Sequence, residues 1–333
     1  MSPRITVIIS CYNYAQYLPD AVHSVLRQSL EDWEAIVIDD ASSDNTAEVM
    51  RAFTDSRIVC VYHKENKGNI VTYNEGIALA RGADVVVLSA DDQYHPDFLK
   101  RTVAMLDDHP EAGMVYTGWE VINDRGLFIR QVAQPHAEDG VYDELPLLVL
   151  RCHIAQCAAV VRKRVYQEVG LFVYPRAGDW EMWFRIARKY PIAFIRQSLY
   201  RYRRHGNNMT VNFESLVRME QEYDQIITAL FADTTLPLHV RCLKRKASAF
   251  LCWNTAHFRF MRRDWWGGIH MLFKAISLDA TVAMHPRRWT GMVSSIMQGI
   301  SRRLWSWCMR VVGSLAMWPW GLKRICRPVR RIR

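Results

Sequence analysis

The sequence lacks the short motifs that identify several common classes of enzyme. It contains no GxGxxG, GxxxxGK[ST], GxSxG or HExxH segment, which argues against a dehydrogenase, a P-loop NTPase, an α/β-hydrolase and a zinc protease. Its eight cysteines include no CxxC pair and no Cys/His array with zinc-ligand spacing. Cys11, Cys60, Cys152 and Cys157 lie in or beside apolar runs, so we expect buried free thiols in a reducing cytoplasm.

Long hydrophobic runs are also missing. No stretch reaches the ~18 uncharged apolar residues that a membrane-spanning helix needs, and residues 1–10 show no signal-peptide cleavage site of small residues. Half of the 333 residues are hydrophobic and 23% are charged, which is the composition of a globular protein with a large core. We therefore expect neither a transmembrane segment nor a cleaved signal peptide.

Acidic residues are absent after Asp279, whereas residues 280–333 carry eleven Lys or Arg. The whole chain has a net charge of +9, so residues 1–279 have a net charge of −2. Residues 286–333 also hold five of the twelve tryptophans, with polar residues at near-helical spacing. This pattern predicts an in-plane amphipathic helix on an anionic membrane surface. A helix packed on the domain or at a dimer interface is the alternative.

The basic tail raises the possibility of a nucleic-acid partner. The rest of the chain has no basic patches interleaved with aromatic residues, and its acidic clusters would repel a phosphate backbone. We therefore expect no nucleic-acid partner.

Short β-branched runs alternate with helical patterns in the first third of the chain. The runs occupy 5–10, 35–38, 58–62, 84–89 and 114–117. Helical signals occur at 18–26, at a capping box over 45–48, at 70–80 and from Pro96 to about His109. Continuous apolar strands alternating with helices predict an α/β fold with a mostly parallel sheet covered on both faces. In such sheets ligands bind at the carboxyl ends of the strands.

The remainder of the chain has a different pattern. Residues 118–210 are irregular apart from an amphipathic helix at 180–187 and a basic turn at 201–206. Beyond them the pattern is wholly helical, with segments at 213–231, 240–261 and 265–278. We expect a helical extension attached to the sheet domain.

Three acidic sites lie at the ends of the predicted strands and helices. Asp39-Asp40 and Asp91-Asp92 come directly after apolar strands, and Asp179 opens the helix at 180–187. A single Asp in such a place is often a turn or cap residue. Two adjacent carboxylates repel each other unless a cation or donor lies between them. Because Mg²⁺ and Mn²⁺ prefer carboxylate oxygens, the pairs indicate a metal bound together with a diphosphate.

Five short segments carry the most specific signal in the chain, at 6–13, 37–44, 66–69, 89–92 and 178–181. In their order and spacing they resemble family-2 glycosyltransferases. The resemblance covers about residues 4–210 and implies an inverting enzyme of the GT-A fold that uses a nucleotide sugar. In the fourth segment the sequence reads Ala90-Asp91-Asp92, where Asp-Ala-Asp is common in the family.

The resemblance also implies roles for individual residues. Ser10 and Tyr12 would lie at the nucleotide base, and Asp40 would accept a hydrogen bond from it. Asp91 would lie near the ribose and Asp92 would bind Mn²⁺ or Mg²⁺.

Asp179 matches the general base of the family. Its alternative role is a helix cap, which could coexist with catalysis. We expect Trp180 and Trp183 to be mostly core residues. Arg203 and His205 would close over the departing phosphate, unless they form only a solvated basic turn. Lys67 would line the nucleotide pocket or turn the chain.

These expectations describe an inverting glycosyltransferase that transfers a sugar, with a UDP-sugar favoured as donor, to a hydroxyl of a glycan or lipid-linked acceptor. The reaction would serve polysaccharide or glycolipid biosynthesis at the cytoplasmic face of the inner membrane. The expected organisation is a GT-A domain at 1–210, divided at 117, a helical extension at 211–285 and the tail at 286–333. The alternatives are a catalytically inactive nucleotide-binding scaffold and a metal-dependent nucleotidyltransferase.

Overall fold

The computed structural model describes residues 2–208 and 213–283. The predicted amphipathic tail at 286–333 lies outside these ranges. Among the described residues, no helix is both long enough and apolar enough to cross a membrane.

The described strands form one mixed sheet. In chain order they are β1 (Ile5–Cys11), β2 (Trp33–Asp39), β3 (Ile58–Tyr62), β4 (Asp84–Ser89), β5 (Gln93–Tyr94), β6 (Met114–Ile122), β7 (Phe128–Gln131), β8 (Gly140–Tyr142), β9 (Ala159–Arg162) and β10 (Ile192–Arg203). Across the sheet the order is β3-β2-β1-β4-β9-β6-β10-β5, with β7 beside β6 and β8 beside β10.

The described helices separate and follow these strands. They are α1 (Leu18–Leu26), α2 (Thr46–Arg51), α3 (Asn69–Leu79), α4 (Phe98–Asp108), α5 (Leu145–Leu148), α6 (Lys163–Val169), α7 (Gly178–Ala187), α8 (Phe213–Ala232), α9 (Leu238–Arg241), α10 (Lys244–Met261) and α11 (Trp265–Leu278). Single 3-10 turns lie at Gln156–Ala158 and Ala280–Val282.

The first four strands form the parallel part of the sheet. β1 pairs in parallel with β2 and β4, and β2 pairs in parallel with β3. All of β2 and nearly all of β1 and β4 are buried, because helices cover both faces of the sheet. The register sets Ser10 beside Ile38 and Ser89. The two aspartate pairs at the carboxyl ends of β2 and β4 therefore lie on the same side of the sheet, as expected.

β10 completes the other part of the sheet. It pairs in parallel with β6 and antiparallel with β5 and β8. The prediction of a basic turn at 201–206 is wrong in its first half, because Arg201 and Arg203 belong to this strand. Arg201 forms an ion pair of 2.8 Å with Glu120 of β6, and Arg203 is buried.

The predicted capping box at 45–48 is also wrong. Asn45 occupies the N-cap position of α2 but makes no side-chain cap hydrogen bond. Asp44 accepts instead from the backbone N–H and the hydroxyl of Thr46, at 3.0 and 2.5 Å. A second oxygen of Asp44 accepts from the N–H of Ala15 at 3.1 Å, so the carboxylate joins α2 to the segment after β1.

Helix α8 joins the sheet domain to the helices that follow. Tyr223 of α8 meets Trp180 of α7 edge-on, with ring centroids 4.7 Å apart. One turn earlier, Glu220 of α8 forms ion pairs with Arg259 and Arg262 at the end of α10, at 2.7 and 2.8 Å. The extension is thus packed directly onto α7, the helix that carries Asp179.

Candidate active site

A cleft of about 800 Å³ opens at the carboxyl ends of β1, β2 and β4. Of the nine site residues predicted from the sequence, six line it: Ser10, Tyr12, Asp40, Asp91, Asp92 and Asp179. The structure thus brings Asp40, the Asp91-Asp92 pair and the start of α7 to one cavity. Lys67, Arg203 and His205 do not line this cleft.

Asp40 is buried and holds the loop that leads into α3. Its carboxylate accepts from the backbone N–H groups of Lys67 and Gly68, both at 2.8 Å. Gly68 has φ +84°, a left-handed conformation that favours glycine. His63 Nδ1 lies 2.7 Å from the same carboxylate, and its Nε2 lies 3.1 Å from Glu75. Asp40 therefore fixes the backbone of residues 67–68 beside the cleft.

Lys67 faces a separate surface depression of about 510 Å³, which His63 and Glu75 also line. Its ammonium group pairs with Glu75 at 3.1 Å. Its backbone N–H binds Asp40, which lines the cleft. A contact of the Lys67 side chain with a nucleotide stays a prediction.

Asp92 is buried and bound on both oxygens. Oδ2 accepts from the Tyr200 hydroxyl at 2.5 Å, and Oδ1 accepts from the backbone N–H of Arg203 at 2.8 Å. Burial and the neighbouring charge of Asp91 raise the pKa of Asp92 well above its usual value. Each carboxylate oxygen has two lone pairs, so a ligand position remains on both oxygens of Asp92.

Asp91 is less completely bound. Its Oδ2 lies 3.0 Å from Nε2 of His205 and 3.2 Å from Nδ2 of Asn208. Oδ1 has no hydrogen bond to another described residue. Of the two adjacent carboxylates, Asp91 thus keeps the freer oxygen for a ligand in the cleft.

Arg203 lies behind the aspartate pair. Its guanidinium donates to the carbonyl of Asp91 at 2.7 Å, to the carbonyl of Asp124 at 2.8 Å and to the carboxylate of Asp20 at 2.7 Å. His205 stacks on Tyr17, with centroids 4.8 Å apart, while its Nε2 holds Asp91. In this structure both side chains support the aspartate pair, and their predicted contact with phosphate stays a prediction.

The acidic residues of the cleft can be compared with the ligands that a divalent metal ion needs. No group of three or more His, Cys, Asp or Glu side chains that could hold an ion by themselves is found in residues 2–208 and 213–283. One or two carboxylates are nevertheless the usual protein share of an Mg²⁺ or Mn²⁺ site completed by phosphates and water. Asp91, whose Oδ1 accepts no hydrogen bond from another residue that the structure describes, and Asp92 fit that share.

Asp179 is half-buried at the first turn of α7. Its Oδ1 accepts from the N–H of Trp180 at 2.8 Å, and the thiol of Cys152 lies 4.0 Å from Oδ2. Burial raises the pKa of Asp179 to about 6, against the lowering effect of its backbone hydrogen bonds. Trp180 and Trp183 are core residues, as expected, and their indole N–H groups bond the carbonyls of Leu148 and Ile154.

Sequence reasoning missed the part of the cleft that α8 forms. Two residues of this helix, Ser215 and Met219, line the cavity. The 3-10 turn at Gln156–Ala158 lines it as well. The helical pattern of 213–231 predicts an element at this place, but it contains no signal for the face that meets the cleft.

The family model for glycosyl transferase family 2 matches residues 6–170. An uncharacterized glycosyltransferase of Rickettsia felis is 31% identical over 211 residues, which are 61% of this chain and 35% of that protein. A Bacillus subtilis protein provisionally named as the teichuronic acid biosynthesis glycosyltransferase TuaG is 29% identical, over 63% of this chain and 82% of its own. The chain thus spans about a third of the length of the first rickettsial relative.

Two solved structures have a similar fold. Staphylococcus aureus TarS 1-349 in complex with UDP-GlcNAc has a TM-score of 0.56 at 15% identity, covering 84% of this chain and 92% of that one. Mannosyltransferase PcManGT of Pyrobaculum calidifontis, in complex with GDP-Man and Mn²⁺, has a TM-score of 0.60 at 20% identity. The likeness covers 92% of this chain and 88% of that one. At these identities the likeness concerns the fold alone. It confirms the α/β fold of the GT-A type that the sequence predicts.

Proposed function

We propose that this chain, which belongs to glycosyl transferase family 2, transfers a sugar from a nucleoside diphosphate sugar to a hydroxyl group with inversion at the anomeric carbon. The observation that carries the proposal is the meeting of Asp179 with the Asp91-Asp92 pair in one cleft. A single displacement needs a base for the acceptor hydroxyl and a charged site for the departing diphosphate. This cleft supplies residues suited to both.

Asp179 has the properties of the base. A general base works best with a pKa near the working pH, and burial brings the pKa of Asp179 to about 6. At pH 7 most of the carboxylate is ionised, yet it is more basic than an ordinary Asp. It would accept the proton of the acceptor hydroxyl as the oxygen attacks.

The donor would lie on the other side of the cleft. Ser10, Tyr12 and Asp40 would hold the base of the nucleotide, and Asp91 and Asp92 would hold Mn²⁺ or Mg²⁺ beside the diphosphate. A divalent ion at this place would neutralise the negative charge that develops on the leaving group. Arg203 and His205 would keep Asp91 in place through the contacts described above.

The donor and acceptor classes are proposed from the relatives. The TarS structure contains UDP-GlcNAc and the PcManGT structure contains GDP-Man and Mn²⁺, and we favour a UDP-sugar. TuaG is named for teichuronic acid biosynthesis, which supports a glycan or lipid-linked acceptor in polysaccharide or glycolipid assembly. The working division is a transferase domain at 1–210, an extension at 211–285 and a tail at 286–333.

The tail would hold the enzyme on the cytoplasmic face of the inner membrane. The eleven basic residues after Asp279 have no acidic neighbours in that segment, and each contributes ~1 kcal/mol of attraction near anionic lipid. A lipid-linked acceptor would be reached from this position.

A panel of UDP-GlcNAc, UDP-glucose, UDP-galactose and GDP-mannose tests the function. We expect one donor to raise the melting temperature in the presence of Mn²⁺ or Mg²⁺ and to be hydrolysed slowly, with water as the acceptor. Donor binding without hydrolysis or transfer to any acceptor would support an inactive scaffold. Release of pyrophosphate from a nucleoside triphosphate and a sugar phosphate would support a nucleotidyltransferase.

A further inference from the structure

The N-terminus of α7 lacks a cap from its own segment. The residue at the N-cap position is Ala177, which offers no side-chain acceptor, and alanine is among the poorest residues there. The backbone N–H groups at the start of a helix have no acceptor within the helix itself. Within the first turn of α7, Asp179 accepts from the N–H of Trp180. The N–H of Ala177 at the N-cap position needs an acceptor from elsewhere in the chain.

Glu222 of α8 provides that acceptor. Its Oε2 accepts from the backbone N–H of Arg176 at 2.9 Å and from the N–H of Ala177 at 2.8 Å. In an ordinary capping box, a Glu in the first turn of the same helix bonds the N–H of the N-cap residue. Here the corresponding Glu comes from 45 residues further along the chain.

The surroundings of Glu222 fix it in place. Its neighbour Tyr223 packs edge-on against Trp180, and Glu220, on the side of α8 that faces α10, is tied to Arg259 and Arg262. The segment that Glu222 holds is itself part of the cleft, which Pro175, Arg176, Gly178 and Asp179 all line.

We propose that Glu222 is a positioning residue for Asp179: by binding the N–H groups of Arg176 and Ala177, it sets the first turn of α7 in the orientation that directs Asp179 to the acceptor hydroxyl. This inference rests on the proposed role of Asp179 as the base. It gives the helical extension a part in the reaction although Glu222 does not line the cleft. A misplacement of about 1 Å at a reacting group can lower turnover by ~10²-fold.

Three substitutions of Glu222 separate hydrogen bonding from charge. Glu222→Ala removes the acceptor. Glu222→Gln keeps the length and a carbonyl oxygen that can accept both N–H groups, but it has no charge. Glu222→Asp keeps the charge but is one methylene shorter. Asp224→Ala, at an exposed position two residues further along α8, is the matched control.

We expect hydrolysis of the donor selected from the panel to fall by at least ~10-fold in the Ala and Asp variants, with UDP affinity unchanged in calorimetry. The Gln variant and the Asp224 control should keep wild-type turnover. Hydrogen exchange of the peptide spanning 174–180 gives a readout without substrate, and it should be at least ~10-fold faster in the Ala and Asp variants only. If the Ala variant does not fold, the contrast between Gln and Asp still decides.

The inference is overturned if the Ala and Asp variants retain turnover and exchange, or if Asp is active and Gln is not. Asp179→Asn belongs in the same assay. If that variant is fully active, the proposed base is wrong. If it is inactive while all Glu222 variants are active, the base stands and only the role of Glu222 is wrong.

Discussion

Replacing Asp179 by asparagine should make the protein less active and more stable at once. The carboxylate has an ordinary pKa of 3.8 and a pKa of about 6 in the folded chain. An acid whose pKa is raised by folding destabilises the native state once the pH exceeds its ordinary value, and the penalty is complete above the folded pKa. The asparagine side chain has nearly the same shape as the carboxylate it replaces, and it carries no charge.

The size of the effect follows from these two values. At 1.36 kcal/mol per pKa unit, the difference between 3.8 and about 6 corresponds to about 3 kcal/mol. Because the side chain is half-buried and keeps some contact with solvent, we expect a gain in the free energy of unfolding of ~1–3 kcal/mol for Asp179→Asn at pH 7.5. At pH 4 the gain should shrink towards zero, since Asp179 is then protonated in the folded state.

The activity of the same variant should change in the opposite direction. Loss of the base should lower turnover by at least ~10²-fold while UDP affinity stays nearly constant. In the wild type, kcat/KM should rise with pH to a plateau above the pKa of about 6, because the carboxylate acts only when ionised. One pH unit below that pKa, about a tenth of the base is ionised, which corresponds to a loss of about tenfold.

Urea denaturation at pH 7.5 and pH 4, together with donor hydrolysis, provides the assay. Asp264→Asn is the control, since Asp264 caps α11 by accepting from the N–H of Gly267 at 2.9 Å and is exposed. Asn caps a helix as well as Asp, so this variant should match the wild type in both measurements. Full activity of Asp179→Asn, or a stability gain that does not depend on pH, would refute the reasoning.

Three further predictions concern the metal, the tail and the aspartate pair. Mn²⁺ should tighten UDP binding to the wild type but not to Asp92→Ala or Asp91→Ala in calorimetry; equal wild-type affinity with and without metal would contradict a metal role. The full chain should float with anionic liposomes at low salt, and a chain ending at His285 should not; equal flotation of the two would disprove the membrane role of the tail. Tyr200→Phe removes a donor to buried Asp92 and should lower the free energy of unfolding by ~1–3 kcal/mol, whereas Tyr142→Phe, whose hydroxyl lies near the surface, should have little effect in the same urea titration.

The parts of the fold that the sequence predicts are those marked by a pattern within a short segment, such as an apolar run or a helical periodicity. The strands at 5–10 and 84–89 can be predicted because buried parallel strands are continuous apolar runs, and the structure places β1 and β4 there. The β-branched run at 58–62 also predicts β3, although this strand at the end of the sheet is only partly buried. The helices at 213–231 and 265–278 were readable from their periodicity and match α8 and α11 closely. Three of the four aspartates singled out at strand ends, Asp40, Asp91 and Asp92, line one cleft, and their roles there stay predictions.

The unpredicted part depends on partners far along the chain. Arg201 and Arg203 suggest a solvated turn until Glu120 and Asp20 are known to lie beside them. In the same way, the cap for α7 comes from Glu222, which no spacing rule connects with Ala177. Such pairings are set by tertiary packing, and local propensity contains no information about them.

The attachment of Asp92 to β10 has a consequence for the order in which the protein folds. The two groups that bind this carboxylate lie 108 and 111 residues later in the chain. During synthesis, β1 to β4 emerge long before Tyr200 and Arg203, so the carboxylate must stay hydrated until the last strand of the sheet is added. Contacts of such large sequence separation form slowly, because a long loop has to close first. The part of the cleft that Asp91 and Asp92 line is therefore assembled late. A fragment ending at residue 170, where the family match stops, would contain both aspartate pairs without the strand that binds Asp92.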